Sequence, residues 1–282
     1  MLRALMTSKT VLITGTSSGI GLATARHFAE EGWNVVATMR NPGAQLEASD
    51  SLLILALDVT DPASIAAAID TGIKRFGRID VLVNNAGYGQ YGLFEAIPAE
   101  SILAEFDVNV FGVMNVTRAI LPHFRANTSG MIINISSGVG IYTMPMISAY
   151  CASKFAVEGF SEALAFELAS QKILVKIVEP HGGVTDTAFN ERAARDNAVD
   201  PALSDYEPFV VQTRKAFAGM VAARSISAED VAWTIFEAAT DGNDTLRYLV
   251  GHDARNFIKA KRELDDQAYV AFMRSHFKDA SG

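Results

Sequence analysis

Short apolar runs rich in β-branched residues alternate with longer stretches of helical period along most of this chain, and that alternation leaves few folds open. Strands are expected at Thr10–Thr14, Asn34–Thr38, Leu52–Leu57, Val81–Asn84, Met131–Ile135, Leu174–Glu179 and Arg247–Val250. Helices are expected between them at Gly19–Glu31, Pro62–Phe76, Ser101–Phe124, Ala149–Ala169 and Ala228–Ala239. The first four strands are almost wholly apolar, which suits strands buried on both faces of a parallel sheet. With right-handed crossovers this gives an α/β, doubly wound parallel sheet of Rossmann type, about seven strands with helices on both faces. No repeat or low-complexity linker interrupts the 282 residues, so a single domain over 1–282 is expected. Two segments break the rhythm. Residues 182–223, with Pro201 and Pro208, read as a lid or substrate-binding element, and 253–282 as a helical, peripheral extension.

Composition excludes several classes of partner. Apolar residues make up 49% of the chain, enough for a sizeable core, and a charged fraction of 20% argues against long disorder. The formal net charge of -8 disfavours nucleic acid and anionic membranes, which recruit basic surfaces. A lone Cys151 forms no internal disulfide and suits a reducing compartment. The N-terminus lacks an apolar stretch long enough for a signal peptide, and no apolar run approaches the roughly 20 residues of a membrane span. A soluble, cytoplasmic protein is expected. The five histidines are scattered without zinc spacing, so no metal site is expected.

The first strand runs into Thr14-Gly15-Thr16-Ser17-Ser18-Gly19-Ile20-Gly21, and a helix follows. Such a turn aims backbone N–H groups and a positive helix end at one point, an anion site, and missing side chains let a pyrophosphate approach. The spacing is G-x-x-x-G-x-G rather than G-x-G-x-x-G. A rival reading shares these residues, because Gly15-Thr16-Ser17-Ser18-Gly19 also matches the nucleophile elbow of a serine hydrolase with Ser17 as nucleophile. Only one strand lies upstream of Ser17, and His181-Gly182-Gly183, which resembles an oxyanion signature, follows it by most of the chain. Both facts count against the hydrolase.

After the second strand the chain reads Ala37-Thr38-Met39-Arg40, with no carboxylate from Val35 to Asn41. An acidic residue there binds the ribose 2′-hydroxyl of NAD, whereas Arg suits a 2′-phosphate, so NADP(H) is favoured over NAD(H). Strand three ends in Asp58-Val59, where a carboxylate can accept from the adenine amino group, and strand four in Asn84-Asn85-Ala86-Gly87. These positions share the carboxyl edge where α/β sheets bind ligands. Further on, Tyr150-Cys151-Ala152-Ser153-Lys154 puts a phenol and an ammonium at i and i+4 on one helix face. A cation near a phenol favours phenolate and lowers its pKa, which fits proton exchange with an alcohol oxygen.

Taken in order, Thr14–Gly21, Asn84–Gly87, Asn109, Ser137 and Tyr150–Lys154 closely resemble the short-chain dehydrogenase/reductase family over residues 9 to 190. Ala37–Arg40 and Tyr150–Lys154 are most similar to its NADP-preferring members, such as the 17β-hydroxysteroid and retinol dehydrogenases. The resemblance implies Tyr150 as general acid/base and Lys154 as the residue that lowers its pKa and holds the nicotinamide ribose. It implies Ser137, thirteen residues before Tyr150 and preferred to Ser136, as the hydrogen-bonding partner of the substrate oxygen. Asn109 would anchor a water in a proton relay through Lys154. Gly15, Ser17, Ser18, Gly19, Ile20, Gly21, Met39, Arg40, Asp58, Val59, Asn85, Ala86 and Gly87 would line the cofactor. The family's Pro-Gly after strand six departs here to Pro180-His181-Gly182-Gly183, so Val184 and either Thr185 or Thr187 are the candidate nicotinamide contacts. His181 reads as a packing or loop residue.

These residues predict hydride transfer between NADP(H) and an alcohol/carbonyl substrate, with a non-catalytic NADP(H) sensor as the alternative from another class. Val184, Phe189, Leu203, Tyr206, Phe209, Val210, Phe217 and Met220, with Tyr88, Tyr142 and Met144, suggest a lipophilic ketone, aldehyde or alcohol. The helices at 101–124 and 149–169 are apolar around much of their circumference. The resemblance implies a homodimer or homotetramer built on them.

Overall fold

The computed structural model describes residues 8–181, 183–185, 201–222, 226–251 and 255–277. Seven strands form a single parallel sheet: β1 (Thr10–Thr14), β2 (Asn34–Met39), β3 (Leu52–Ala56), β4 (Val81–Asn84), β5 (Gly130–Ile135), β6 (Ile173–Pro180) and β7 (Arg247–Val250). Their spatial order is β3-β2-β1-β4-β5-β6-β7. The chain works outward from β1 to one edge, then restarts at β4 toward the other. That reversal opens a crevice beyond the carboxyl ends of β1 and β4, the topological switch point where such sheets bind ligands.

Helix α1 (Gly19–Glu30) links β1 to β2, α2 (Pro62–Phe76) links β3 to β4, α3 (Ala99–Phe106) and α4 (Val113–Ala126) link β4 to β5, and α5 (Ser148–Leu168) links β5 to β6. After them come α6 (Glu207–Ala222), α7 (Ala228–Thr240), α8 (Arg255–Glu263) and α9 (Asp266–Ser275). Alternate side chains of the central strands feed opposite layers, as the two-residue period of a strand requires. Val11, Ile13, Val81 and Val83 join Phe28, Trp33 and Ile235 on one face. Leu12, Leu82 and Ile132 meet Ile65, Ile120, Phe124 and Leu164 on the other. Each large aliphatic or aromatic side chain so buried stabilises the fold by about 1.5–3 kcal/mol. Local signals set the helix ends. Asp61 accepts from the Ala63 backbone N–H at 2.9 Å with Pro62 at the first helical position, and Ser227 with Asp230 forms a reciprocal capping box at α7.

The expected helix Ser101–Phe124 is three pieces. α3 and α4 are separated by a π turn over Asp107–Gly112, an extra-residue bulge of the kind often found at functional sites. Helical periodicity alone does not reveal it, because the apolar pattern continues through it. The 182–223 segment contains a regular helix, α6, and the C-terminal extension is not peripheral. Phe257 and Ile258 of α8 and Tyr269 and Met273 of α9 share one buried cluster with Val139, Tyr142 and Cys151. No described helix is long and apolar enough to cross a membrane.

Candidate active site

The glycine turn is held down by polar bonds to the loop after β4. Thr14 Oγ1 accepts from the backbone N–H groups of Asn85 and Ala86, each at 3.0 Å. Asn85 Nδ2 donates back to the carbonyls of Thr14 at 2.9 Å and Gly15 at 3.1 Å. Thr16 is buried, and its N–H and hydroxyl both donate to the Thr38 carbonyl, at 3.0 and 3.1 Å. Only glycine allows this packing. Gly15 has φ +75, and a Cβ there would lie 2.8 Å from Ala86 Cα. At Gly21 a Cβ would lie 2.3 Å from the Gly15 carbonyl oxygen. Ser18 stands at the N-cap of α1, Ile20 is half-buried, and the first turn of α1 carries no acidic residue. Ser17 is exposed. A dinucleotide fits these residues: close backbone, a positive helix end and no opposing carboxylate at that turn.

The neighbouring positions divide. Met39 is 2% exposed and belongs to the core, whereas Arg40 is exposed at the carboxyl end of β2. Asp58 Oδ1 accepts from the Thr60 N–H at 2.9 Å and hydroxyl at 2.8 Å. Those bonds, the backbone one first, and the nearby Arg40 charge hold its carboxyl below the usual range, against the opposing effect of burial. Val59 is buried against the π turn, since a Cβ on Gly112 would come within 2.6 Å of it. Gly87 is exposed, but a Cβ there would lie 3.0 Å from Asn109 Oδ1.

The π turn delivers Asn109 to the interior. Its Oδ1 accepts from the Tyr88 N–H at 3.0 Å, and Nδ2 donates to the Tyr88 carbonyl at 2.7 Å and to Ser153 Oγ at 3.1 Å. Ser153 in turn donates to the Tyr150 carbonyl at 2.8 Å. Asn109 therefore clamps the loop after β4 to α5. A strand-capping turn supplies Ser137, whose hydroxyl accepts from the Val139 N–H at 3.4 Å and hydrogen-bonds the Tyr150 phenol. Ser136 lies instead in the interior, 3% exposed and against Gly140. Of the two adjacent serines, Ser137 is the one that meets Tyr150.

Lys154 is 7% exposed, its Nζ donates to the Ile135 carbonyl at 2.9 Å, and it lies 5.7 Å from the Tyr150 ring centroid. Burial lowers its pKa to about 8, with Glu105 and Glu158 working in the opposite direction. For Tyr150 the expectation of a lowered pKa is corrected. Burial pushes the phenol up, the Ser137 bond lowers it, and the charge of Glu105 raises it further. Desolvation is the largest of these influences, and it outweighs the Ser137 bond.

Beyond β6, His181 is 1% exposed and packs on Gly138, where a Cβ would lie 2.2 Å from its Nδ1. Val184 is buried, and Thr185 donates from its N–H and hydroxyl to the Ile226 carbonyl, at 3.0 and 3.2 Å. Thr187 and Phe189 lie outside the described residues. Tyr150 packs against a buried apolar cluster that includes Val139, Tyr142, Cys151 and Phe257, and Met144, Met220 and Phe272 pack against the same cluster. Tyr142 stacks on Phe257 with centroids 5.2 Å apart. Among the described residues no group of three metal-ligating side chains occurs.

Thr14, Ser153 and Glu105 escaped the sequence reading. Thr14 and Ser153 stand inside quoted motifs, so their position was the available signal. Glu105 gave the opposite signal, a charge in an apolar helix.

Residues 9–198 match the family described as short chain dehydrogenase. An uncharacterized oxidoreductase of Schizosaccharomyces pombe is 36% identical over 84% of this chain and 98% of its own length. Estradiol 17-beta-dehydrogenase 1 of Rattus norvegicus is 41% identical over 66% of this chain and 57% of its own. A solved short-chain dehydrogenase from Streptomyces avermitilis has a TM-score of 0.76 at 33% identity, covering 95% of this chain and 94% of that one. Another, from Burkholderia phymatum in complex with NAD, scores 0.75 at 25% identity over 91% and 93%. The fold and the ordered site define a Rossmann-type oxidoreductase. The chain belongs to the short-chain dehydrogenase family, which sets aside the hydrolase reading of Ser17.

Proposed function

We propose that this protein transfers hydride between NADP(H) and a lipophilic alcohol/carbonyl pair, with Tyr150 as general acid/base. The observation that carries it is the meeting of the Ser137 hydroxyl with the Tyr150 phenol, with Lys154 one helical turn beyond. A bound nicotinamide supplies the hydride. In the reductive direction the Tyr150 hydroxyl gives its proton to the substrate oxygen, and Ser137 donates to the charge developing there. Burial of the phenol favours its protonated form, which suits the acid role. Lys154 orients the ribose, while Asn109 fixes the loop that Gly87 and Tyr88 present to the same edge. In this reading Val184 contacts the nicotinamide, either Thr185 or Thr187 contacts its carboxamide, and Asp58 faces the adenine.

The dinucleotide class is supported by the NAD complex of the Burkholderia phymatum relative, and the preference for NADP(H) by the exposed Arg40. Met39 is buried, so Arg40 is the residue to change. Arg40→Ala is expected to lower the ratio of kcat/KM for NADPH over NADH tenfold or more, since charged hydrogen bonds contribute about 1.5–3 kcal/mol and 1.4 kcal/mol is about tenfold. An unchanged ratio removes Arg40 from the role.

The apolar cluster that Tyr150 packs against, built from α8 and α9 with Val139, Tyr142 and Cys151 and joined by Met220, supports a lipophilic substrate. The test is a homologous series of aliphatic ketones and aldehydes with a steroid and a retinoid. kcat/KM should climb by a factor of a few per buried methylene, about 0.8 kcal/mol each; small polyols turned over best would overturn it. Phe111, Phe155 and Phe166 are 51%, 40% and 75% exposed on the π turn and α5, which favours a homodimer or homotetramer across these helices. A monomer in sedimentation velocity would exclude it. The lone, buried Cys151 suits a reducing, cytoplasmic setting.

A further inference from the structure

α3 is amphipathic in an inverted sense at one point: Leu103 is 66% exposed, while Glu105 is 0% exposed. The Glu105 carboxyl lies between the loop after β4, the π turn and α5. Its Oε1 is 3.5 Å from Asn109 Nδ2, the Gln90 backbone N–H also donates to the carboxyl, and Oε2 has no hydrogen-bond partner. A buried charge with so few donors costs stability unless a nearby cation answers it. Among the described residues the charge that answers it is that of Lys154.

We propose that Glu105 is a positioning residue of the reaction: acting through Asn109 and Lys154, its buried carboxylate sets the charge balance around Tyr150 and hence the pH range of turnover. This rests on the acid/base reading of Tyr150. A negative charge here stabilises the Lys154 ammonium and opposes a Tyr150 phenolate, so both groups hold their protons to higher pH. Burial also raises Glu105 itself to about 7, despite Lys154 and the Gln90 bond, so the charge appears near neutrality. The titratable groups facing it on α5 are Tyr150, Cys151 and Lys154, and Glu158 further along α5 also acts on Lys154. The loop after β4 offers Gln90 and the π turn Asn109. Glu100 and Asp107, close by in sequence, are exposed.

The experiment is the pH profile of kcat and kcat/KM for carbonyl reduction by wild type, Glu105→Gln and Glu105→Asp, with Tyr150→Phe as control. Removing the charge lets both Lys154 and Tyr150 lose protons earlier. The alkaline limb of Glu105→Gln should therefore move to lower pH by about half a unit or more, with KM for NADPH nearly unchanged. Glu105→Asp should return most of the shift. A merely structural role would lower the amplitude at every pH without moving the limb. Coincident limbs for wild type and Glu105→Gln overturn the proposal while leaving Tyr150 in place. Near-wild-type turnover by Tyr150→Phe would instead remove the reading beneath it. Should Glu105→Gln fail to fold, carbon-13 NMR of wild type, with the Glu105 carboxyl assigned against Glu105→Asp, decides. A Lys154 Cε signal that shifts as the Glu105 carboxyl titrates supports the proposal, and a Lys154 signal that does not respond to it sinks it.

Discussion

Tyr150→Phe is expected to lower kcat by about 10² or more, the scale of a lost general acid/base, with cofactor affinity changed by no more than about twofold. The substitution removes one oxygen and leaves the ring packed against the buried cluster of Val139, Tyr142 and Cys151. Ser137 keeps its bond from the Val139 N–H and can still meet a substrate oxygen. Lys154 keeps its bond to the Ile135 carbonyl, and with it the ribose contact proposed for it. Lys154→Ala, by contrast, should damage both turnover and cofactor binding, because the same ammonium serves both. Steady-state kinetics on a confirmed substrate, with a fluorescence titration of NADPH, separates the two variants. Turnover by Tyr150→Phe close to wild type would mean that another group moves the proton.

The second large effect belongs to the glycine turn. Gly21→Ala forces a Cβ to 2.3 Å from the Gly15 carbonyl oxygen and 2.4 Å from Asn85 Nδ2. Neither neighbour can yield cheaply, since Asn85 is itself bonded to the Thr14 and Gly15 carbonyls. Overpacking of this kind costs about 1–3 kcal/mol. The displaced loop should also weaken NADPH binding tenfold or more, the equivalent of about 1.4 kcal/mol. Gly159→Ala in α5 is the control, because a Cβ there meets nothing within 4 Å and helix propensity alone favours Ala by up to about 1 kcal/mol. A Gly21→Ala protein with unaltered Tm and Kd would show that the turn tolerates a side chain.

The central strands were legible because they are buried on both faces, whereas the edge strands β3 and β7 are only part-buried. Val11–Ile13 and Val81–Val83 must be apolar at every position, so the sequence marks them without ambiguity. The π turn was not legible, since Val108 and Val110 continue the helical apolar pattern while the extra residue changes only the direction of Asn109. Chemistry written in one motif, such as Tyr150 and Lys154, could be read directly. Chemistry assembled across the fold could not. Nothing in the spacing ties Glu105 to Lys154, or says that burial, rather than the ammonium, dominates the Tyr150 phenol. The C-terminal helices were misjudged for a similar reason: their charged faces are plain in sequence, but the Phe257 and Tyr269 contacts to Tyr142 and Cys151 arise only from tertiary packing.

The central claim is coupled hydride and proton transfer through Tyr150. It is tested most directly by single-turnover reduction of the best carbonyl substrate, followed by nicotinamide absorbance. The runs compare NADPH with its C4-deuterated form, each in H2O and D2O. The account predicts that both deuterations slow wild type, and that Tyr150→Phe loses the solvent effect together with its rate. Cofactor oxidation insensitive to solvent, with Tyr150→Phe as fast as wild type, would contradict it.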